Sequence, residues 1–484
     1  MVSRLSLGNC GHGYDPYNPP DMTEVNNKSS SPRWLEWTGL PHLARIPALA
    51  ARVDNLAIGI GAIFASIVFG TLLDWTWSLR GGVSANAVSQ FVLSRQLDQP
   101  YSEPSGDLGI FHVWRDHERH CVDSLLRSFL PGKSYASGTA LGRYLDARAP
   151  AHPGGSFADM AYGLWWLWSA HPFFSLILFA GLLIIWSIAG GAICRIAAVQ
   201  FAQDDLLTAP KGLKFARGRL WNGFVTAPCL PLSLCLVILL MMALGGAFLR
   251  IPLVGDLLGG AAFPLAILGG AIVAALLIGL ATGGHLYWPC VATESGDGFD
   301  AFSRGLSYVF LRPWKAIWYA VFTLFFASVC WMIANLGVLL ALGITRAVVS
   351  WGTSPFGWWK RPVGDLRVSK LELLWPLGGS AELYRAPQWG NLGFFEYISA
   401  VFIGFWVLVV IVSLWSFLAS FYYCSCTVSY FLLRRDVDGI DLEEVASEDD
   451  EEDEEATGGV GPGASSGSGG SLPPSASAET QGRL

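Results

Sequence analysis

The densest run of chemistry-bearing side chains is His112, Asp116, His117, His120 and Cys121. His112 and Asp116 stand four residues apart, as do His117 and Cys121, so each pair shares a helix face and has the spacing of half a zinc site. One helix supplies two or three usable ligands at most, and no second His or Cys cluster completes the shell. The preferred reading is an amphipathic surface helix, with no metal, cofactor or catalytic residue assigned. The chain has no nucleotide-binding glycine loop, HExxH or hydrolase-type carboxylate pair. Gly59-Ile60-Gly61 lies inside an apolar run and is no phosphate loop. The expectation is a protein that is not an enzyme and binds no nucleic acid; a membrane-bound metal-dependent enzyme is the weakest alternative.

Polar residues inside apolar runs mark transport paths. Asn335 lies within one such run and His285 ends another, while Asp74 and Glu396 sit at run edges. No Asp, Glu, Lys or Arg falls in the middle of any run, which argues against a proton-coupled pump or a voltage sensor. Asn335 is expected to hydrogen-bond a neighbouring helix. Residues 255–284 are glycine-rich, with pairs at Gly259-Gly260 and Gly269-Gly270. Close helix packing is the expected reason, and a re-entrant, pore-like element is the sharper alternative.

A third set of residues repeats at an offset of 93. Gly190-Gly191 match Gly283-Gly284, Asp204 matches Asp297, Gly212-Leu213 match Gly305-Leu306, Arg219 matches Arg312, and Trp221 matches Trp314. The glycine pair is read as ending a span or letting two helices pack closely. The Asp is expected near the start of a short amphipathic helix, where a carboxylate suits unpaired N–H groups. Arg and Trp are expected to close that helix at the headgroup level. The unit is span, interfacial helix, span, and its two copies run in parallel.

The elements that must position these residues are membrane spans. Hydrophobic residues make up 52% of the 484 and charged residues only 14%, far below the roughly one quarter of a soluble domain. Six apolar runs approach the ~20 residues a bilayer needs: 55–73, 173–193, 228–248, 264–284, 317–342 and 397–417, the last continuing as helix toward Leu433. Asn55 opens the first. The fold class is an all-α membrane protein, a polytopic bundle of about six transmembrane helices. Interfacial amphipathic helices and a small helical extracytoplasmic subdomain accompany it.

Lys and Arg concentrate after the second and fourth runs, so both termini are expected in the cytoplasm. Residues 33–54 read as an interfacial helix, 76–170 and 345–394 as extracytoplasmic loops, and 171–344 as a four-span core carrying the repeat. Residues 1–32 are polar, without the pattern of a cleaved signal, and read as disordered; Met22 is a second candidate start. Residues 436–484 read as a disordered tail, with ten carboxylates within 443–455. That run is expected to solubilise, or to meet a basic partner. Most of the nine cysteines lie in or beside apolar runs and are expected to act as apolar fillers.

Three segments carry a resemblance: Leu72-Leu73-Asp74-Trp75-Thr76-Trp77; Phe299-Asp300-Ala301-Phe302-Ser303-Arg304 with Arg312-Pro313-Trp314; and Leu432-Leu433-Arg434-Arg435-Asp436-Val437-Asp438-Gly439. Across 33–445 the chain resembles uncharacterised multi-span integral membrane proteins of planctomycete-type bacteria. The resemblance implies the bacterial inner (cytoplasmic) membrane and carries over no catalytic residue. The expected function is a non-enzymatic scaffold, assembly or permease-like component, with membrane proteins and the lipid bilayer as partners. A transporter or channel for a small solute is the alternative.

Overall fold

The structure is a computed structural model, and it describes residues 38–77, 81–128, 153–252, 254–354, 361–363, 366–376, 387 and 389–445. The expected disordered segment 1–32 and the tail beyond Val445 lie outside the described residues. Six helical stretches are long and apolar enough to cross a membrane: Val53–Trp77, Pro172–Gln203, Leu220–Ala247, Leu257–Glu294, Pro313–Thr353 and Phe394–Asp438. Each satisfies its own backbone groups, as a lipid-embedded segment must. The protein is thus an all-α polytopic bundle, with only two short antiparallel ribbons among the described residues, β1 (Gly82–Val83) with β2 (Ser105–Gly106) and β3 (Arg361–Val363) with β4 (Leu366–Val368).

Two short helices, α1 (Leu40–Leu43) and α2 (Ile46–Ala50), precede the first span, α3 (Val53–Trp77). After α4 (Ala87–Gln96) come α5 (Ile110–Ser128) and α6 (Pro153–Ala170), then the second span, α7 (Pro172–Gln203). The surface helix α8 (Ala209–Gly218) leads through a π-helical turn, Leu220–Val225, into α9 (Thr226–Phe248). α10 (Val254–Gly283) returns, and a 3-10 turn, Gly284–Leu286, joins it to α11 (Tyr287–Glu294). The second surface helix, α12 (Gly298–Leu311), is followed by α13 (Pro313–Thr353), α14 (Lys370–Leu374) and α15 (Phe394–Asp438).

Cross-chain contacts fix the heights of these helices. Gly59 of α3 lies against Ser416 of α15, whose hydroxyl donates to Leu56 O at 2.7 Å. Trp331 of α13 meets Trp415 at 4.9 Å with the rings tilted, and Phe326 meets Phe421 at 6.2 Å. Lys315 pairs with Asp436 at 2.6 Å. The spans therefore alternate in direction, and α3 begins at the end where α15 finishes. That end also carries α8 and α12, and is called the basic end here.

The tightest packing is at the basic end. Nearly every residue of α15 from Phe421 to Arg434 is buried, as are Gly190–Ala198 of α7 and most of α11. In the bilayer-crossing parts the helices are far more exposed, down to 6% buried in the apolar window of the fourth span. Lipid accepts those side chains; the basic end packs like a soluble protein.

Several boundaries differ from the sequence reading. Residues 38–52 form no free interfacial helix: Leu43, Ile46, Leu49 and Ala50 are buried, and Gly39, at φ 64°, abuts Leu432. The tail starts later than Asp436. α15 runs to Asp438 and closes on left-handed Gly439, and Arg434 donates to Glu444 O at 2.8 Å. At the far end, α14 is held by a Ser369–Glu372 capping box, and Leu371 and Trp375 pack against Val407.

Candidate functional site

The N-terminus of α5 docks on the end of the first span. Asp74 Oδ1 accepts the N–H of Phe111 at 2.8 Å and Oδ2 that of His112 at 3.1 Å. A carboxylate placed there satisfies orphan donors of the helix and complements its dipole. Gly109 is required, because a Cβ would lie 2.0 Å from Asp74 Oδ2. Gly70, one turn earlier on α3, leaves room for the Phe111 ring, which a Cβ would meet at 2.4 Å. Ala62 and Ser66 continue the same buried row at four-residue steps.

From that anchor α5 runs down into the bundle. Trp114 meets Phe179 of α7 at 5.9 Å, and Trp331 Nε1 points to Asp123 Oδ1 at 3.4 Å. Trp331 stands at the height of Trp415, which adjoins Ser416 and therefore Leu56 and Gly59 of α3. Phe111 is at the height of Gly70. Twelve helical residues between Phe111 and Asp123 advance about 18 Å, which matches that descent. A helix read from sequence as part of an outer subdomain thus lies alongside the apolar length of α3 and α13. It carries Asp123 and Arg127, paired at 3.0 Å and both buried.

α6 covers α5 on another side. Gly163 lets the two helices meet at His117 and Glu118, and His117 Nε2 lies 2.9 Å from Asp159 O. The opposite face of α6 exposes Phe157, Leu164, Trp165 and Trp168, an apolar surface suited to lipid. The 18 residues of α6 span about 27 Å, close to a bilayer core. α5 and α6 form a helical hairpin whose outer helix is greasy and whose inner helix is charged. Arg119 and His120 remain exposed on α5, with His112 and Asp116 half-exposed above them. Charged side chains at this height face protein or water, not lipid.

The His/Cys run resolves into separate contacts. His112 Nε2 lies 3.4 Å from Asp116 Oδ2, and Cys121 Sγ lies 3.5 Å from His117 Nε2. Among the described residues no three His, Cys, Asp or Glu side chains converge on a metal-sized site. Asn335 is buried one helical turn beyond Trp331, so it shares the face of α13 that meets α5. The expected hydrogen bond of Asn335 to a neighbouring helix is not made by its Oδ1, which has no partner among the described residues. His285 is elsewhere, in the 3-10 turn between α10 and α11, and the structure does not bring it to Asn335. Glu396 caps the start of α15 by accepting the N–H of Gly393 at 3.0 Å.

From Gly212 and Gly305 onward the matched residues take similar local positions. Gly212 packs on Ile196 and Ala192 of α7, and Gly305 packs on Tyr287 and Gly283. Arg219 and Arg312 each occupy the C-cap of their surface helix, and Trp221 and Trp314 follow as exposed residues. The aspartates are not equivalent. Asp297 caps α12, accepting the N–H of Asp300 at 2.8 Å, whereas Asp204 ends α7 at φ 53° and pairs with Arg45 at 2.5 Å. The loop between span and surface helix is two residues longer in the first copy, so Thr208 takes the capping position there. The glycine pairs also differ: Gly190 and Gly191 lie inside α7 against Tyr423 and Phe224, while Gly283 and Gly284 break the fourth span.

The copies interlock through ions that sequence reasoning did not connect. Arg195 donates to Ala292 O at 2.9 Å and Arg219 to Ser295 O, so cations of the first copy meet the C-terminal carbonyls of α11. Glu294 takes Arg304 and Arg434, the latter at 3.2 Å, and accepts from Tyr430 at 2.5 Å. Burial disfavours the Arg304 charge, but Glu294 and Asp300 outweigh it and hold the guanidinium above its ordinary value. Burial and the adjoining Asp438 carboxylate raise the Tyr308 phenol. Tyr308 donates to Asp438. Every charge in this cluster has a partner, which makes it a structural joint.

No protein-family model, curated protein or solved structure matches this chain. The class defined by fold and site is a multi-pass helical membrane protein with a charged hairpin set among its spans.

Proposed function

We propose that the protein is a permease-like component that gives small polar solutes a hydrated path along α5. One observation carries this reading: the Asp123–Arg127 pair and the exposed Arg119 and His120 stand at the height of the apolar spans. Charge there is costly unless it is paired within the protein, lines water or binds a passenger, and Arg119 stays exposed. The unpartnered Asn335 Oδ1 on the facing helix adds an acceptor to the same region. The basic end is assigned to the cytoplasm, by the excess of Lys and Arg in its short loops, and the membrane to the bacterial inner membrane.

The test uses Arg119→Cys in proteoliposomes of the full chain. A membrane-impermeant maleimide is expected to label it, and proteoliposomes are expected to swell in small polar solutes faster than empty liposomes until that label is attached. Swelling at the rate of empty liposomes, together with no labelling, would contradict the reading.

A second reading is a scaffold or assembly component, and a different observation favours it. The α9–α10 hairpin packs on itself and exposes apolar side chains on most sides, Leu236, Leu257 and Leu265 among them. A photo-crosslinker at Leu265 in native membranes that captures one protein partner supports this reading; adducts with lipid alone oppose it.

A further inference from the structure

The two surface helices share a scaffold but present different chemistry outward. α12 exposes Phe299, Phe310 and Leu311, an apolar face. α8 exposes Lys211, Lys214 and Arg217, which lie on one side of the helix at steps of three residues. Gly212 and Ala216 form its buried side, with Gly212 close against Ile196 and Ala192 of α7. Among the described residues Lys211, Lys214 and Arg217 enter no ion pair, and the nearby Asp204 is already engaged by Arg45. Asp205 is the other exposed carboxylate close in sequence. Trp221, 63% exposed, stands two residues past the Arg219 cap, and Trp314, 80% exposed, holds the matching place after α12. Exposed indoles at matched positions mark one interfacial plane.

We infer that α8 is a binding surface for anionic phospholipid headgroups, with Lys211, Lys214 and Arg217 facing the phosphates and Trp221 seated beside them. Three cations aligned in the plane marked by two indoles complement a layer of phosphodiesters. Each cation near an anionic surface adds to the attraction, and salt screens it. The apolar face of α12 inserts at the same level without lipid selectivity. The repeat has thus specialised: one copy selects lipid, the other anchors.

The experiment places the full chain in phosphatidylcholine nanodiscs doped with brominated phosphatidylglycerol or, at equal mole fraction, brominated phosphatidylcholine. The difference in Trp emission between wild type and Trp221→Phe isolates the Trp221 signal. Quenching of that signal by the anionic lipid is expected to exceed quenching by the zwitterionic one roughly five-fold at low salt. Lys211→Glu/Lys214→Glu/Arg217→Glu is expected to bring the two to parity, with quenching of the remaining Trp residues unchanged. Equal quenching in the wild type overturns the inference, as does a preference that survives the triple variant. Loss of the preference on adding inorganic phosphate, but not on adding sodium chloride of equal ionic strength, assigns the surface to soluble phosphate and overturns the lipid assignment.

Discussion

Trp331 Nε1, on the fifth span, lies 3.4 Å from Asp123 Oδ1 on α5, and this contact sets the depth of the whole α5–α6 hairpin. Because Trp331 is tied to Trp415, and Ser416 to Leu56, three spans agree on the height at which Asp123 sits.

The Asp123–Arg127 pair is buried on both sides, so losing one member strands the other. Asp123→Ala is expected to destabilise by about 3–5 kcal/mol, and Asp123→Leu/Arg127→Met to recover most of the loss. Unfolding in detergent, followed by circular dichroism, measures both. Equal destabilisation by the single and double changes would show that the pair has no such mutual role.

The docking of α5 on α3 depends on two glycines. Gly109→Ala places a methyl within 2.0 Å of the Asp74 carboxylate, and Gly70→Ala places one within 2.4 Å of the Phe111 ring. Each is expected to cost about 1–3 kcal/mol. Gly61→Ala on the same span meets nothing within 4 Å and is expected to leave the melting temperature unchanged or slightly raised. Thermal melts of the three variants make the comparison.

The aspartates of the repeat separate in the same way. Asp297→Ala removes a helix cap and is expected to cost about 0.5–2 kcal/mol. Asp204→Ala removes only an exposed ion pair with Arg45 and is expected to cost about 0–1 kcal/mol. Identical losses would mean that the two positions are equivalent after all.

Alkaline stability follows from Tyr308. Its folded-state phenol titrates above the ordinary value, so the folded chain holds that proton more tightly than the unfolded one. Its contribution is present below about pH 10, the unfolded value, and is lost as pH rises through the folded value. Melting temperatures taken across this range are expected to fall more steeply for wild type than for Tyr308→Phe. Parallel curves would contradict the assignment.

The six spans were legible because an apolar run of bilayer length has few other uses. The surface helices were legible from their Gly-Leu and Arg-x-Trp pattern, which the structure keeps in register from Gly212 and Gly305 onward. The charged hairpin was not legible, because α5 alone reads as an ordinary amphipathic helix. The signal lay in its partner: Pro153–Ala170 is an almost uncharged, Trp-rich stretch directly ahead of the second span. The Glu294 joint was hidden because Arg304 and Arg434 meet it from elements far apart in the chain.

A photo-crosslinker tests directly whether α5 lies among the spans. With p-benzoylphenylalanine in place of Trp331, irradiation of native membranes is expected to join α13 to a peptide containing Cys121–Arg127. Adducts confined to lipid or to α15, with no α5 peptide recovered, would contradict it.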